Sequence, residues 1–353
     1  MTCCLRIIVT LIIIFFNIIP GCFAQENEQA HEIERIINKY FDNGYYTGTI
    51  LVADKNGILY NGAFGYADRE TQRKLTIETP FYIASVSKQF VSSAALILVS
   101  EGKLNLDDPI IKYLDGLPSF CQQITIRNLL NHTSGFPDYY NVIDVTPGFT
   151  NEDVLDFVLG LTEPVFPPGT QYAYNSTGYV LMSSIIQKIC EQDFSAFMNE
   201  RVFNPVGMKN SYVLDDVSAG FSGKAIGYAK SGEIVDYKFR TTGGGGIYST
   251  VYDLYLWDRA LYTGKQVSKY LLKSQAFNPS TLLNGKPLFY GLGWNINPED
   301  HNIVYHGGSL VGFRTLFYRD TKKRHVIIIF SNNGCEQLTA IQDEINELLN
   351  NNK

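Results

Sequence analysis

The order of secondary-structure signals along this chain of 353 residues predicts an α+β fold. Two strands joined by a tight turn lie near the start, short β-like runs fill the last third, and a mostly helical stretch separates them. Because an isolated two-stranded hairpin is marginal in water, the first strands need partners from later in the chain. We therefore expect one antiparallel sheet built from both ends of the chain, flanked by N- and C-terminal helices, with a mostly helical domain inserted.

The amino-terminal segment is typical of a secretory signal peptide. A short positive start precedes an apolar run at residues 7–19, and the small residue Ala24 precedes Gln25. The apolar run is short for a membrane-spanning helix, which needs roughly 20 residues. We expect cleavage after Ala24 and a periplasmic or secreted mature protein. The alternative is a lipoprotein anchored to the membrane through Cys22.

The first third of the mature chain contains the hairpin signal. Apolar residues recur at helical spacing over residues 31–43, and Gly44 ends this predicted helix. Strands are predicted at 47–53 and 58–66, on either side of an Asn-Gly pair that favours a hairpin turn. The expected helices of the middle stretch are 85–99, 124–131, 151–161, 177–189 and 194–203.

The last third of the chain is predicted to consist mainly of short strands. One helix, at 251–261, interrupts the β-like runs, and an amphipathic helix with Leu338, Ile341 and Ile345 on its apolar face closes the chain. The predicted strands are 223–229, 247–249, 291–295, 303–306, 314–318 and 325–330. The expected domains are the signal peptide 1–24, a split α/β domain of 25–84 plus 223–353, and a mostly helical domain of 85–222.

Composition excludes several classes of function. The net charge of −6 leaves no basic stripe for a nucleic-acid partner. The cysteines that remain after cleavage are Cys121, Cys190 and Cys335. Their spacing fits no zinc site, and either buried free thiols or one disulfide with a spare thiol is compatible with their number. No motif indicates a metal or another cofactor.

Ser85 and Lys88 are the first candidate catalytic pair. They stand three residues apart at the start of an apolar helix, so their side chains are expected on one face. A serine hydroxyl needs a base within hydrogen-bond reach, and a lysine in a dry setting has a lowered pKa that suits it to this role. The alternative is a helix-capping serine followed by a solvated lysine.

Two later stretches offer partners for this pair. Tyr174 lies in a loop before a helix and could relay a proton if nearby cations lower its pKa. The alternative for Tyr174 is a packing role. The predicted strand beginning at residue 303 ends in His306-Gly307-Gly308-Ser309, where two glycines allow the backbone to approach a ligand or to make a tight turn.

In this order, the three stretches resemble those of the serine β-lactamase and penicillin-binding protein clan. The chain is most similar to the branch that contains class C β-lactamases, D-alanyl-D-alanine carboxypeptidases, D-aminopeptidases and family VIII esterases. Further matching segments are residues 62–68, 129–135, 245–250 and 290–294. The resemblance extends from about Ile36 to the C-terminal helix and implies a β-lactamase/transpeptidase-like fold.

The resemblance also implies roles for individual residues. Ser85 attacks a carbonyl and forms an acyl-enzyme, while Lys88 and Tyr174 share the proton transfers. The backbone amides of Ser85 and Ser309 form the oxyanion hole, a feature that typically contributes about 10²–10³ in rate. Water then releases the acyl group, and no cofactor takes part.

Departures from the family pattern bear on the substrate. Ser176 stands where this branch usually has Asn, so a contact to a substrate amide is in doubt. His306 replaces Lys and Gly307 replaces Thr or Ser, which removes a fixed positive charge and a hydroxyl. These changes favour a peptidase or esterase, acting on a small molecule or a peptide such as one derived from peptidoglycan. A true class C-like β-lactamase and a non-catalytic binding or regulatory protein are the alternatives.

Two further residues have open interpretations. His132 lies in a segment that is structural in the resembling proteins, and we expect it to be structural here. Arg314 is a candidate contact for a substrate carboxylate, or a charge on the face of a strand.

Overall fold

The computed structural model describes residues 20–144, 147–214, 223–235, 240–310 and 312–351, with side chains from residue 28 onward. The predicted signal peptide lies outside the described residues up to residue 19. The first helix begins at Pro20, well before the predicted start at residue 31, and includes the predicted cleavage position. Within the described ranges, no helix combines the length and apolar character needed to cross a membrane.

The α-helices and β-strands follow one another along the chain in the predicted order. The α-helices are α1 (Pro20–Asp42), α2 (Lys88–Ser100), α3 (Ile126–Leu130), α4 (Asn151–Leu159), α5 (Thr177–Cys190), α6 (Phe194–Met198), α7 (Val251–Thr263), α8 (Lys269–Leu271) and α9 (Leu338–Asn351). The strands are β1 (Gly48–Ala53), β2 (Ile58–Phe64), β3 (Tyr66–Asp68), β4 (Arg73–Lys74), β5 (Phe81–Tyr82), β6 (Tyr212–Val213), β7 (Ile247–Ser249), β8 (Ser280–Thr281), β9 (Pro287–Leu288), β10 (Asn295–Ile296), β11 (Ile303–Leu310), β12 (Phe313–Asp320) and β13 (His325–Ser331).

A six-stranded antiparallel sheet joins the two ends of the chain. Its strand order is β10-β11-β12-β13-β1-β2, so the early hairpin is completed by β13 at the centre. Helices α1 and α9 pack against each other beside this sheet. The α+β prediction is confirmed. The domain boundaries at residues 84/85 and 222/223 are not tested by this topology and stay a prediction.

Both faces of the central strands are buried. Along β1, Ile50 and Val52 pack with α1 and α9, whereas Leu51 and Ala53 face the larger core on the helical side. This alternation follows from the two-residue period of a strand. The sheet therefore separates two apolar cores, and the larger one surrounds α2, whose residues 88–98 are all buried.

Two predicted strands differ from the structure, and one helical segment of the structure was not predicted. The strand predicted at 223–229 is wrong, because Ala225 and Ile226 donate to the carbonyls of Pro80 and of Ala67 in β3, and only Tyr228 forms an isolated bridge. The strand predicted at 291–295 is mostly a turn, since Gly293 has φ +79° and β10 begins only at Asn295. The helical segment from Lys269 to Ala276, made of α8 and a π-helical turn, has no counterpart in the prediction.

Candidate active site

Ser85 lies in a 3₁₀ turn, Ala84–Ser87, that leads directly into α2. The preceding Ala84 has φ +47°, a left-handed conformation that is costly for a residue with a Cβ and that persists only where neighbours hold it. Here Ile83 is held from two sides: its N–H donates to the Ile247 carbonyl (3.0 Å), and its carbonyl accepts from the Thr315 hydroxyl (2.8 Å). Ser85 is thereby fixed between α2 and β11.

Lys88 is fully buried beside Ser85. Its Nζ lies 3.2 Å from the Ser85 Oγ, 2.8 Å from the Gly244 carbonyl oxygen and 3.4 Å from the Ser176 Oγ. Burial lowers the pKa of Lys88 to about 7, although the negative charge of Asp138 acts in the opposite direction. A neutral amine would donate two hydrogens to Gly244 and Ser176, which leaves its lone pair for the Ser85 hydroxyl proton.

The Gly244 carbonyl is a part of the site that the sequence did not reveal. A Cβ at position 244 would lie 2.8 Å from the Ser176 Cβ, so only glycine allows the backbone to approach this closely. The run of glycines at 243–246 was the available signal. Consecutive glycines favour a bend in the backbone, but they do not show which side chain the bend contacts.

Tyr174 lies at the mouth of the cleft and is 39% exposed. Its hydroxyl hydrogen-bonds to Ser85, and the Lys88 Nζ lies 4.8 Å from the centre of its ring. The condition that cations lower its pKa is not met, because burial raises the pKa of Tyr174 above its ordinary value. At neutral pH the Tyr174 hydroxyl therefore keeps its proton.

His132 supports the loop that carries Tyr174. The histidine is buried with its ring centre 4.2 Å from that of Tyr174. Its Nδ1 accepts the Asn175 N–H (3.3 Å), and its carbonyl accepts the Ala173 N–H (3.0 Å). These contacts agree with a structural role for His132.

His306 is a neutral residue in this site. It is buried, its Nδ1–H donates to the Gly307 carbonyl (2.6 Å), and its Nε2 accepts from the Tyr290 hydroxyl (3.0 Å). Burial and the nearby Lys88 lower the pKa of His306 to about 3. His306 therefore supplies no positive charge to a substrate at neutral pH.

Gly308 brings the edge of β11 close to the serine. A Cβ at this position would lie 2.4 Å from the Ile83 carbonyl oxygen and 2.3 Å from the Thr315 Oγ1. Glycine is therefore required for β11 to pack against the 3₁₀ turn. Ser309 follows and lines the same cleft as Ser85; the oxyanion role of their backbone amides stays a prediction.

The open cleft has a volume of about 540 Å³. Its lining includes Ser85, Tyr174, residues 306–309 and Arg314. Ser176 contacts Lys88 and is only 7% exposed, so it is not among the described residues that form the cleft wall. The structure thus places Ser85, Lys88, Tyr174 and Ser176 together with the β11 segment.

Cys335 lines the cleft, and Cys121 and Cys190 are not part of its described lining. Cys121, Cys190 and Cys335 are free thiols, which excludes the disulfide alternative among them. Among the side chains that the structure describes, no three His, Cys, Asp or Glu are arranged to hold a metal ion.

A family model and several known proteins match most of this chain. The Beta-lactamase family model matches residues 33–347. Penicillin-binding protein 4* of Bacillus subtilis is 31% identical over 335 residues, covering 87% of this chain and 72% of that protein. The octameric penicillin-binding protein homologue from Pyrococcus abyssi is 26% identical with a TM-score of 0.80, covering 91% of this chain and 77% of that one.

The D-amino acid amidase from Ochrobactrum anthropi SV3, complexed with L-phenylalanine amide, shares the fold with a TM-score of 0.78. The two chains are 22% identical over 92% of this chain and 99% of the amidase. The family match spans most of the chain and includes Ser85, Lys88 and Tyr174. This chain therefore belongs to the beta-lactamase family and is a serine hydrolase.

Proposed function

We propose that this protein is an exported hydrolase that cleaves small peptides, amides or esters through an acyl-enzyme on Ser85. The observation that supports this most directly is the Lys88 amine, enclosed 3.2 Å from the Ser85 Oγ with a pKa lowered to about 7. General bases work best when their pKa lies near the working pH.

The proposed reaction has two halves. Lys88 takes the Ser85 proton as Oγ forms a bond to the substrate carbonyl carbon. The bond from that carbon to the leaving nitrogen or oxygen then breaks, and the proton passes to the leaving group. Tyr174, whose hydroxyl bonds to Ser85 and stays protonated, is placed to relay this proton. In the second half water attacks the acyl carbon and Lys88 accepts the proton of the water. Lys88 then passes this proton to the Ser85 Oγ as the bond between Oγ and the acyl carbon breaks.

The residues at positions 306 and 307 favour a D-peptide or a neutral ester over a β-lactam. The neutral His306 and the bare Gly307 offer neither a cation nor a hydroxyl on β11. Arg314 lines the cleft, and its hydrogen bond within the described structure is to the Phe313 carbonyl (3.0 Å). Its remaining donors are suited to a carboxylate. The name of the D-amino acid amidase, whose fold this chain shares, agrees with an amide substrate.

Active-site labelling tests the catalytic proposal. A fluorophosphonate probe should add one adduct by intact mass to the wild-type protein and none to Ser85→Ala. Ser309→Ala, which removes another serine of the cleft, is the matched control and should still label. Absence of an adduct on the wild type, or an adduct on Ser85→Ala, would favour the non-catalytic binding protein.

A panel of substrates tests the expected order of preference among substrate classes. It compares p-nitrophenyl esters, D-amino-acid amides, D-Ala-D-Ala peptides and nitrocefin. We expect esters or D-peptides to give the largest kcat/KM. Arg314→Gln should raise KM for D-Ala-D-Ala peptides while leaving the neutral esters within about twofold, since the peptides carry a carboxylate and the esters do not. A nitrocefin rate well above the others would instead support the β-lactamase alternative.

We also propose export with cleavage after Ala24. The sequence pattern described above supports this location, with anchoring through Cys22 as the alternative. Intact mass and amino-terminal sequencing of the mature protein distinguish them: Gln25 at the amino terminus supports cleavage, and an acylated Cys22 supports the lipoprotein. Retention of the whole segment would contradict both.

A further inference from the structure

A second cavity, here called the distal pocket, lies between α7, α8 and the ends of β11 and β12. Its volume is about 410 Å³, within the range of small-molecule sites. Asn302 lines it and stands five residues before Gly307 of the active site. At 3.3 Å per strand residue, this separation is about 16 Å along β11. The distal pocket is therefore distinct from the catalytic cleft.

A buried arginine forms part of the pocket wall. Arg319 is 1% exposed, and its Nε donates to the Asp258 Oδ1 (2.6 Å). The Asp258 Oδ2 lies 2.7 Å from Arg259 Nη2, so two guanidinium groups share one buried carboxylate. This cluster carries one uncompensated positive charge, and buried charges in proteins are normally paired.

Two polar atoms beside the pocket lack hydrogen-bond partners among the described residues. They are the Arg319 Nη1 and the Tyr262 hydroxyl, both buried and both on residues of the pocket lining. The rings of Tyr262, Phe277 and Trp294 lie against the Arg319 guanidinium, 4.9, 5.4 and 5.7 Å from its Cζ to the ring centres. Ring faces interact with a cation but do not accept the in-plane hydrogen bond of Nη1.

The rest of the lining complements an amphiphilic anion. Lys269 and Lys273 add two exposed cations, and no Asp or Glu is part of the described lining. The apolar wall consists of Leu261, Leu272 and Phe277. A ligand with one negative end and an apolar body would match both the charge and the surface.

We propose that the distal pocket binds a small organic carboxylate with an aromatic or aliphatic body. The carboxylate lies toward Arg319 and the two lysines, whose positive charges attract it. The apolar body packs against Leu272 and Phe277. This proposal does not depend on the substrate of the catalytic cleft.

Isothermal titration of the full mature protein with 3-phenylpropionate tests the proposal, with the uncharged 3-phenylpropanamide as the matched ligand. We expect the acid to bind at least about tenfold more tightly than the amide, which corresponds to about 1.4 kcal/mol. Lys269→Gln with Lys273→Gln should weaken binding of the acid about three- to tenfold, because both residues are exposed and the fold should tolerate the change. Equal affinity for acid and amide, or no heat up to about 10 mM ligand, would overturn the proposal.

Two single variants locate the bound acid. Leu272→Trp should fill the pocket and abolish binding, with circular dichroism confirming that the variant is folded. Arg314→Gln, which changes the catalytic cleft, should leave binding of the acid unchanged. Loss of binding in Arg314→Gln together with full binding in the lysine double variant would place the acid in the catalytic cleft and contradict the proposal.

Discussion

The catalytic cleft contains the buried basic side chain of Lys88, and the distal pocket is lined by that of Arg319. The two side chains differ in their surroundings: one has no charged partner among the described residues and the other has a carboxylate. Lys88 is surrounded by hydroxyls and a carbonyl, and the structure describes no carboxylate in contact with it. Arg319 is bonded to the carboxylate of Asp258. One site lacks a charged partner for its cation, and the other provides one.

The difference follows from the chemistry of the two side chains. A buried lysine can lose its proton, so desolvation lowers its pKa and produces a base. A guanidinium stays charged at any accessible pH, so burial of Arg319 requires a counter-ion. Lys88, which has no charged partner in the described parts of the chain, can therefore act as a base. Arg319, which is paired with Asp258, connects β12 to α7.

Removing Lys88 should have the largest effect on activity and a small effect on stability. We expect Lys88→Met to lower the rate of ester hydrolysis about 10³-fold, within the range for loss of a general base. Its free energy of unfolding should be unchanged or higher, because an apolar side chain replaces a group that is costly to bury. Stopped-flow hydrolysis and urea denaturation measure the two effects, with the exposed Lys55→Met as control.

A fall of several kcal/mol in the unfolding free energy of Lys88→Met would contradict this contrast. It would mean that Lys88 is held as a paired cation, as Arg319 is.

Arg319→Met should show the reverse pattern. Breaking a buried ion pair from one side typically costs about 3–5 kcal/mol, because Asp258 is left with an incomplete set of partners. Hydrolysis by the folded variant should stay within about threefold of wild type, since no reacting atom is affected. Asp258→Asn combined with Arg319→Met should cost less than the sum of the single changes; strict additivity in urea denaturation would show that the pair is not coupled.

The sequence alone was sufficient for the elements whose signals are local. Ser85 and Lys88 are three residues apart, and Tyr174 stands in a distinctive loop. The long strands β11 to β13 have apolar patterns that can be recognised from the sequence alone. The capping of α3 by Thr125 is equally local, and the structure contains its reciprocal hydrogen bonds.

The remaining parts of the two sites depend on contacts between distant segments. The Gly244 carbonyl meets Lys88 across 156 positions of sequence, and Tyr290 meets His306 only because a turn precedes β10. Arg319 and Asp258 lie on a strand and a helix that no local pattern connects. The direction of the Tyr174 pKa shift could not be predicted from the sequence either, because it depends on how deeply the folded chain buries the hydroxyl.

The pH dependence of activity and of stability tests whether Lys88 is a buried amine without a charged partner. With a pKa of about 7, the neutral amine predominates above that pH, so kcat/KM should rise about tenfold per pH unit below 7 and level off above it. The unfolded chain, with a lysine pKa of about 10.4, binds more protons than the folded chain between pH 7 and 10, so the free energy of unfolding should increase with pH in that range. Lys88→Met should lose this part of the slope. A kcat/KM that is flat from pH 5 to 9 would exclude Lys88 as the base.

Asp138 offers the smallest and most specific test. Its carboxylate accepts the backbone N–H of Ser176 and raises the pKa of Lys88 through its charge, without a hydrogen bond to the amine among the described contacts. Asp138→Asn should therefore move the acid limb of kcat/KM to lower pH, by up to about one unit, since contacting charges shift a pKa by about one to three units. The exposed Glu163→Gln removes the same charge from a residue that does not contribute to the Lys88 pKa shift, and it should leave the limb in place. A shift to higher pH, or an equal shift in both variants, would show that Asp138 does not act on Lys88 through its charge.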